Sequence, residues 1–299
     1  MNGTPQFDPA FFLNKSVSSP NFLFLYKRVL QQEQTWTLNN FNNPDIRPFN
    51  MSYGSEIQSR LLKFNASDAA RGSYTEALTP TLETSGQGLA TFCSYLQDPN
   101  PDAFAWTQQA LCKVIPNLRR FRMTRARVPA LHWFNIDFQS RLDRINQRLE
   151  GSGQELLFDF ENAEGIPASQ VSEGTLFALT VLVTAASSSE DTVILIDDLE
   201  RGLHPKAVSE LMTALRDIQK LKPGLQIIAT SHSPYVLHSL KPNEVRVVTL
   251  DPERGTLVAP LEAYPEFDKW RDAMTPGEFW SFVGEDWVKD LPTLEKTRV

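Results

Sequence analysis

The sequence predicts an α/β fold with a parallel sheet, and three neighbouring segments carry that expectation. Residues 192–196 (TVILI) form an apolar run of the kind found in parallel strands covered on both faces. Pro205 then stands at a natural first helical position. Val208, Leu211, Met212, Leu215 and Ile218 keep an apolar stripe at helical spacing until Pro223-Gly224 stops it. Residues 225–229 (LQIIA) read as a second buried strand. Strand, helix and strand within about 40 residues make a βαβ unit, whose crossover is right-handed almost without exception.

Taken in chain order, residues 1–80 mix Asn, Ser, Pro and aromatics without sustained periodicity. Residues 39–50 read as loop, and helices are expected at 21–33 and 55–64. Apolar residues recur at three and four over 86–96 and 102–114, which predicts two helices broken by Pro99 and Pro101. Extended segments follow at 118–128, 131–138 and 155–160, the last two alternating apolar with polar. A short helix at 139–149 separates them. Ser172 then caps an apolar helix. No internal repeat or low-complexity tract is present.

Composition narrows the function classes. The chain has 299 residues, is 41% hydrophobic and 22% charged, and carries a net charge of −7. Ordinary soluble usage of this kind argues against disorder and fibrous architecture. The acidic balance excludes a globally basic nucleic-acid coat, though not a local basic face. Two cysteines, Cys93 and Cys112, are too few for a disulfide scaffold or a cysteine-based zinc site, and suit a reducing cytosol. The longest apolar stretch, 176–186, falls short of the roughly 20 residues of a membrane span. The N-terminus lacks the basic and apolar regions of a secretory signal. A cytoplasmic protein with no membrane partner is the expectation.

Three segments together suggest chemistry. In Val171-Ser172-Glu173-Gly174-Thr175, Ser172 is a good N-cap and Glu173 suits the helix dipole. Gly174 removes a side chain where backbone N–H groups are unpaired, so an anion could approach closely; a well-capped core helix is the plainer alternative. In 192–200 (TVILIDDLE), Asp197 and Asp198 end a buried strand, where open α/β sheets bind ligands. Such hard oxygens suit Mg²⁺ held through one carboxylate, water and phosphate oxygens, and solvated acids at a strand end are the alternative. In 225–234 (LQIIATSHSP), His232 ends the next strand. If those strands are adjacent and parallel, His232 leaves the sheet at the same edge as Asp197 and Asp198.

The run SEGT, VILIDDLERGLHP and IIATSHSP resembles the C-terminal half of an ABC/SMC-like AAA-type ATPase, the branch related to OLD-family proteins. The resemblance is strong over 166–248, looser back to 86, and covers little of 1–80. It implies a P-loop-NTPase-like parallel sheet flanked by helices, with ATP and Mg²⁺ as cofactors. On it, Ser172, Glu173 and Gly174 belong to the signature that meets the nucleotide across a head-to-tail dimer. Asp197 matches the carboxylate that holds Mg²⁺, and Asp198 takes the position of the general base. Gly202 to Pro205 resemble the loop that meets the other subunit, and His232 matches the switch histidine near the γ-phosphate. The resemblance divides the chain into an irregular or helical remnant of an N-terminal lobe at 1–85, an ATPase core at 86–262 and an aromatic-rich helical tail at 263–299.

Two departures shape the functional expectation. The family's general base is normally Glu, one methylene longer than Asp198. The phosphate cradle G-x-x-x-x-G-K-[ST] needs a lysine after glycine, and the chain holds no Gly-Lys pair; Lys15-Ser16 is its only Lys-Ser pair. An incomplete N-terminal lobe and poor autonomous hydrolysis follow. The expected partner in a head-to-tail dimer is a second copy of the chain itself or a P-loop-bearing homologous subunit, and a cradle would have to come from the latter. A catalytically silent interaction module, or a truncated product that keeps the ATPase fold, is the rival expectation.

Weaker features remain. Arg119, Arg120, Arg122, Arg125 and Arg127, followed by Arg141, Arg144 and Arg148, could meet phosphates, as of DNA, but read more simply as a solvated face. The aromatic segment 276–287 reads as a packed terminal helix, with partner docking second. His132, His204 and His238 show no metal-ligand spacing.

Overall fold

A computed structural model describes residues 22–25, 58–129 and 150–291. In chain order its principal elements are β1 (Phe22–Leu25), β2 (Gln58–Leu62), α1 (Leu89–Leu96), α2 (Pro101–Val114), β3 (Leu118–Pro129), β4 (Glu150–Phe160) and β5 (Ala163–Pro167). Then come α3 (Glu173–Ser187), β6 (Thr192–Ile196), α4 (Pro205–Leu221), β7 (Gln226–Thr230), β8 (Arg246–Asp251), β9 (Gly255–Pro260) and α5 (Pro276–Val283). The described residues form two compact units. One takes in 22–25, 58–59, 191–199 and 223–291; the other takes in 60–129, 150–190 and 200–222.

The first unit holds the parallel strands β1, β7 and β6, with the start of β2 next in the strand order β1-β7-β6-β2. β6 and β7 pair in parallel from Val193↔Gln226 to Ile196↔Ala229, as their apolar sequences predict. Ile194, Ile196, Ile227 and Ala229 are buried. β1 pairs with the far side of β7, from Phe22↔Ile227 to Leu25↔Thr230. β2 starts at the outer edge, where the Gln58 N–H donates to the Asp191 carbonyl at 3.2 Å.

The helices expected at 21–33 and 55–64 are therefore corrected: 22–25 and 58–62 are strands. Tertiary pairing overrides a weak local helical preference, because a short apolar segment such as Phe-Leu-Phe-Leu satisfies its backbone on a neighbouring strand. Residues 63–64 follow β2 without regular structure, while 21, 26–33, 55–57, the loop 39–50, the strand 131–138, the helix 139–149, Lys15-Ser16, His132, Arg141, Arg144 and Arg148 lie outside the described residues.

Beyond the sheet, β8 and β9 form an antiparallel hairpin from Arg246↔Pro260 to Asp251↔Gly255. α5 starts with a capping box between Thr275 and Glu278. Its Phe279 is 2% exposed and meets Tyr264 and Phe267 edge-on at 5.2 and 5.5 Å. Trp287 is buried against the same tyrosine. Core packing thus accounts for part of the aromatic tail, while Phe282 is exposed.

The second unit packs α2, α3 and α4 on one another beside the antiparallel sheet β3-β4-β5. Asn100 caps α2 through the Ala103 N–H, with Pro101 in its first turn. α3 is apolar all round, and residues 174–186 are all buried, the signature of a central helix. Thr180 and Thr184 satisfy their hydroxyls on the carbonyls of Leu176 and Thr180. At the far end, Lys222 Nζ donates to the carbonyls of Ala185, Ala186 and Ser188 at 3.3, 2.5 and 2.7 Å. Among the described residues no helix is long and apolar enough to cross a membrane.

Candidate functional site

Parallel pairing brings Asp197, Asp198 and His232 to one place. The register Ile196↔Ala229 ends both strands together, so Asp197 and Asp198 leave β6 at the sheet edge where Ser231 and His232 leave β7. Thr230, buried at 4% exposure, ties the two exits. Its hydroxyl donates to Asp197 Oδ1 at 2.7 Å and accepts the Asp198 N–H at 2.9 Å. Its carbonyl accepts the Leu199 N–H at 3.0 Å. Held this way, Asp198 adopts φ 57°, a left-handed conformation uncommon outside glycine but tolerated by Asp. Ser231 Oγ accepts the Ser233 N–H at 3.0 Å, turning the chain so that His232 is exposed.

Among the described residues no three His, Cys, Asp or Glu side chains are grouped to hold a metal ion. A protein-only cage is thus not what these residues offer. Two hard carboxylates at a strand end do fit Mg²⁺, which keeps its waters and is commonly held by one or two carboxylates plus substrate phosphates.

Ser172, Glu173 and Gly174 belong to the second unit. Ser172 caps α3, its Oγ accepting the Thr175 N–H at 3.2 Å and contacting Thr175 Oγ1 at 2.8 Å. Glu173 is exposed and lies 3.3 Å from Arg201 Nε, while Arg201 also donates to the Phe64 carbonyl at 3.0 Å. The expectation for Gly174 is corrected. The room left by its missing side chain is not open to an anion but filled by the chain at Gly202. A Cβ on Gly174 would lie 2.1 Å from the Gly202 carbonyl oxygen. Gly202 itself sits at φ 65°. The exposed face of this helix start is formed by Ser172 and Glu173.

The arginine run proves partly structural. Arg120 and Arg122 both donate to the buried Asp159 Oδ2, at 2.7 and 3.1 Å, and the Gly165 N–H donates to Oδ1 at 2.7 Å. That backbone donor and the two guanidinium groups hold the Asp159 carboxyl down at about 2. Arg119 pairs loosely with Glu164 at 3.8 Å, and Arg125 and Arg127 are exposed. His204 caps α4, its Nδ1 accepting the Lys206 N–H at 3.3 Å. His238 Nδ1 lies 2.6 Å from Thr275 Oγ1, at the start of α5. Neither histidine approaches a metal-ligand arrangement. Three residues escaped the sequence reading: Thr230, Arg201 and Asp159. Only the register of β7 against β6 could have placed the threonine opposite Asp197.

Residues 100–238 match the family described as "AAA domain, putative AbiEii toxin, Type IV TA system". No curated protein matches the chain. Among solved structures, the chain is similar to the Smc head domain of Pyrococcus furiosus bound to the C-terminal domain of ScpA. That pair shows 10% identity and a TM-score of 0.39, over 60% of this chain and 40% of the other. It is also similar to a chain from work on ATP-driven dimerization and DNA-stimulated activation of SMC ATPases. There the identity is 10% and the TM-score 0.36, over 61% of this chain and 99% of the other. The Smc head with coiled coil and joint from Pyrococcus yayanosii matches at 10% identity and TM-score 0.38, over 57% and 28%. The chain thus spans well under two thirds of the length of the first of these Smc head chains. Residues 100–238 are thus similar to that AAA domain family.

Proposed function

We propose that the chain contributes a composite ATP site, in which Asp197 holds Mg²⁺, Asp198 orients or accepts a proton from the attacking water, and His232 faces the γ-phosphate. The observation that supports this reading is the shared sheet edge: Asp197 and Asp198 from one strand, His232 from its parallel neighbour. When bound, Mg²⁺ supplies charge neutralisation for the phosphate oxygens. Asp197 would hold it at this edge, with its carboxylate tied by Thr230. Ser172 and Glu173, at the start of a 15-residue helix, would meet a nucleotide held by a second subunit, since a helix N-terminus favours anions.

These 299 residues hold no Gly-Lys pair. The backbone cradle and lysine that stabilise a triphosphate therefore have to come from another segment, and the purified chain should hydrolyse ATP poorly. A P-loop-bearing homologous subunit should associate with it when ATP and Mg²⁺ are present. Sedimentation of such a mixture with and without nucleotide tests the reading, together with an ATPase assay. The expected result is nucleotide-dependent association, lost in Ser172→Arg, and turnover close to background for the chain alone. Association indifferent to both ATP and Ser172→Arg removes the composite site and leaves a silent interaction module. Robust turnover by the chain alone, abolished in Asp198→Asn, shows that no external cradle is needed.

A further inference from the structure

We infer that Thr230 is the positioning residue of the carboxylate pair, acting on Asp197 through its hydroxyl proton and on Asp198 through its hydroxyl lone pair. The inference rests on the reading that Asp197 is a cation ligand. A threonine hydroxyl has one proton to give and two lone pairs to offer. The Asp198 N–H points at Oγ1 from 2.9 Å and is necessarily the donor of that bond. The hydroxyl proton is then available to Asp197 Oδ1, 2.7 Å away, which accepts it. One oxygen of Asp197 is thereby fixed and the carboxylate plane oriented.

The same side chain holds the Asp198 backbone in its left-handed turn, a conformation that persists only where the surroundings impose it. The Leu199 N–H bond to the Thr230 carbonyl adds a third tie, and Leu199 is fully buried. Every one of these contacts originates on β7, two residues before His232. The strand that delivers the histidine therefore also sets the two carboxylates, and displacement of one displaces the others. Partners of this kind, one bond removed from a metal ligand, change metal affinity by about 10- to 100-fold when removed.

The test uses Mn²⁺ as the probe ion, titrated into the full chain and followed by electron paramagnetic resonance of the free ion. Wild type, Asp197→Asn, Thr230→Val and Thr230→Ser are compared, with far-UV circular dichroism as a check on folding. Thr230→Val keeps shape and removes the hydroxyl; Thr230→Ser keeps the hydroxyl and removes the methyl. The expected result is a 10- to 100-fold weaker Mn²⁺ affinity in Thr230→Val and affinity within about threefold of wild type in Thr230→Ser. Hydroxyl rescue is an outcome that a packing role alone does not produce. A folded Thr230→Val that binds Mn²⁺ like wild type overturns the inference alone, as does a Thr230→Ser as weak as Asp197→Asn. If Thr230→Val fails to fold, Thr230→Ala removes the hydroxyl in its place, with the same expected and overturning results. Wild type that binds no better than Asp197→Asn overturns the assignment of Asp197 itself.

Discussion

Replacing Gly174 with alanine separates two reasons for a glycine at the start of α3. A glycine kept open for an anion loses affinity on substitution but not stability, and gains in helix propensity by up to ~1 kcal/mol. A glycine required by packing loses stability with no ligand present. The distances decide for packing: the added Cβ would stand 2.1 Å from the Gly202 carbonyl oxygen, 2.7 Å from its carbon and 3.0 Å from Leu203 Cδ2. Two of those are backbone atoms. Gly202 is at φ 65° and its own missing side chain faces the Gly174 backbone, so neither segment has slack to give. Forced overpacking costs ~1–3 kcal/mol. A clash with backbone atoms lies at the upper end of that range, so after up to ~1 kcal/mol of helical gain is subtracted Gly174→Ala should be less stable by about 2 kcal/mol. Urea unfolding of the ligand-free protein measures it, with Gly255→Ala as a comparison where strain at φ 80° arises with no neighbour within 4 Å. A Gly174→Ala protein as stable as wild type would falsify the packing argument and restore the open-approach reading.

Two further predictions concern ties that hold the second unit. The Asp159 carboxyl is held at about 2, below the ordinary 3.8, chiefly by the Gly165 N–H. Its contribution is complete above pH ~4 and is lost as pH falls through about 2; Asp159→Asn should cost ~1–3 kcal/mol at pH 7 and flatten that acid limb in urea titrations. Lys222 donates to three carbonyls at the C-terminal end of α3. Lys222→Met should lower stability by ~1–3 kcal/mol, and an unchanged thermal midpoint would show that water replaces the ammonium there without loss.

What the sequence made legible follows from how locally each feature is determined. β6 and β7 could be read because both are apolar on both faces, which only a covered parallel strand requires. α2 could be read from its apolar recurrence at three and four, and α3 because Ser172 carries its capping role at the helix's own start. β1 could not: four residues have no period to count, and their state is set by pairing with Ile227–Thr230 far along the chain. The sequence marks Gly174 as a place left open by a missing side chain, and the structure fills that room. What fills the room is Gly202, which no local pattern connects to it. The arginine run likewise looked like a solvated face because Asp159, the acid that meets two of its members, arrives only through the β3–β4 register.

The length of the carboxylate at position 198 cannot be judged apart from the backbone that bears it. The family resemblance favours glutamate there, and a missing methylene shortens the reach toward any water on the proposed reading. Yet Asp198 stands at φ 57°, where short polar side chains are tolerated and longer ones are disfavoured. In that turn its N–H meets Thr230, whose hydroxyl also serves Asp197. A glutamate would regain reach while straining the turn that orders the neighbouring carboxylate. Proton transfer through one intervening water relaxes the demand on reach, whereas nothing relaxes the demand on the turn. The aspartate is therefore the residue that this strand exit accommodates, and the question of activity moves from side-chain length to whether a triphosphate is presented at this edge at all.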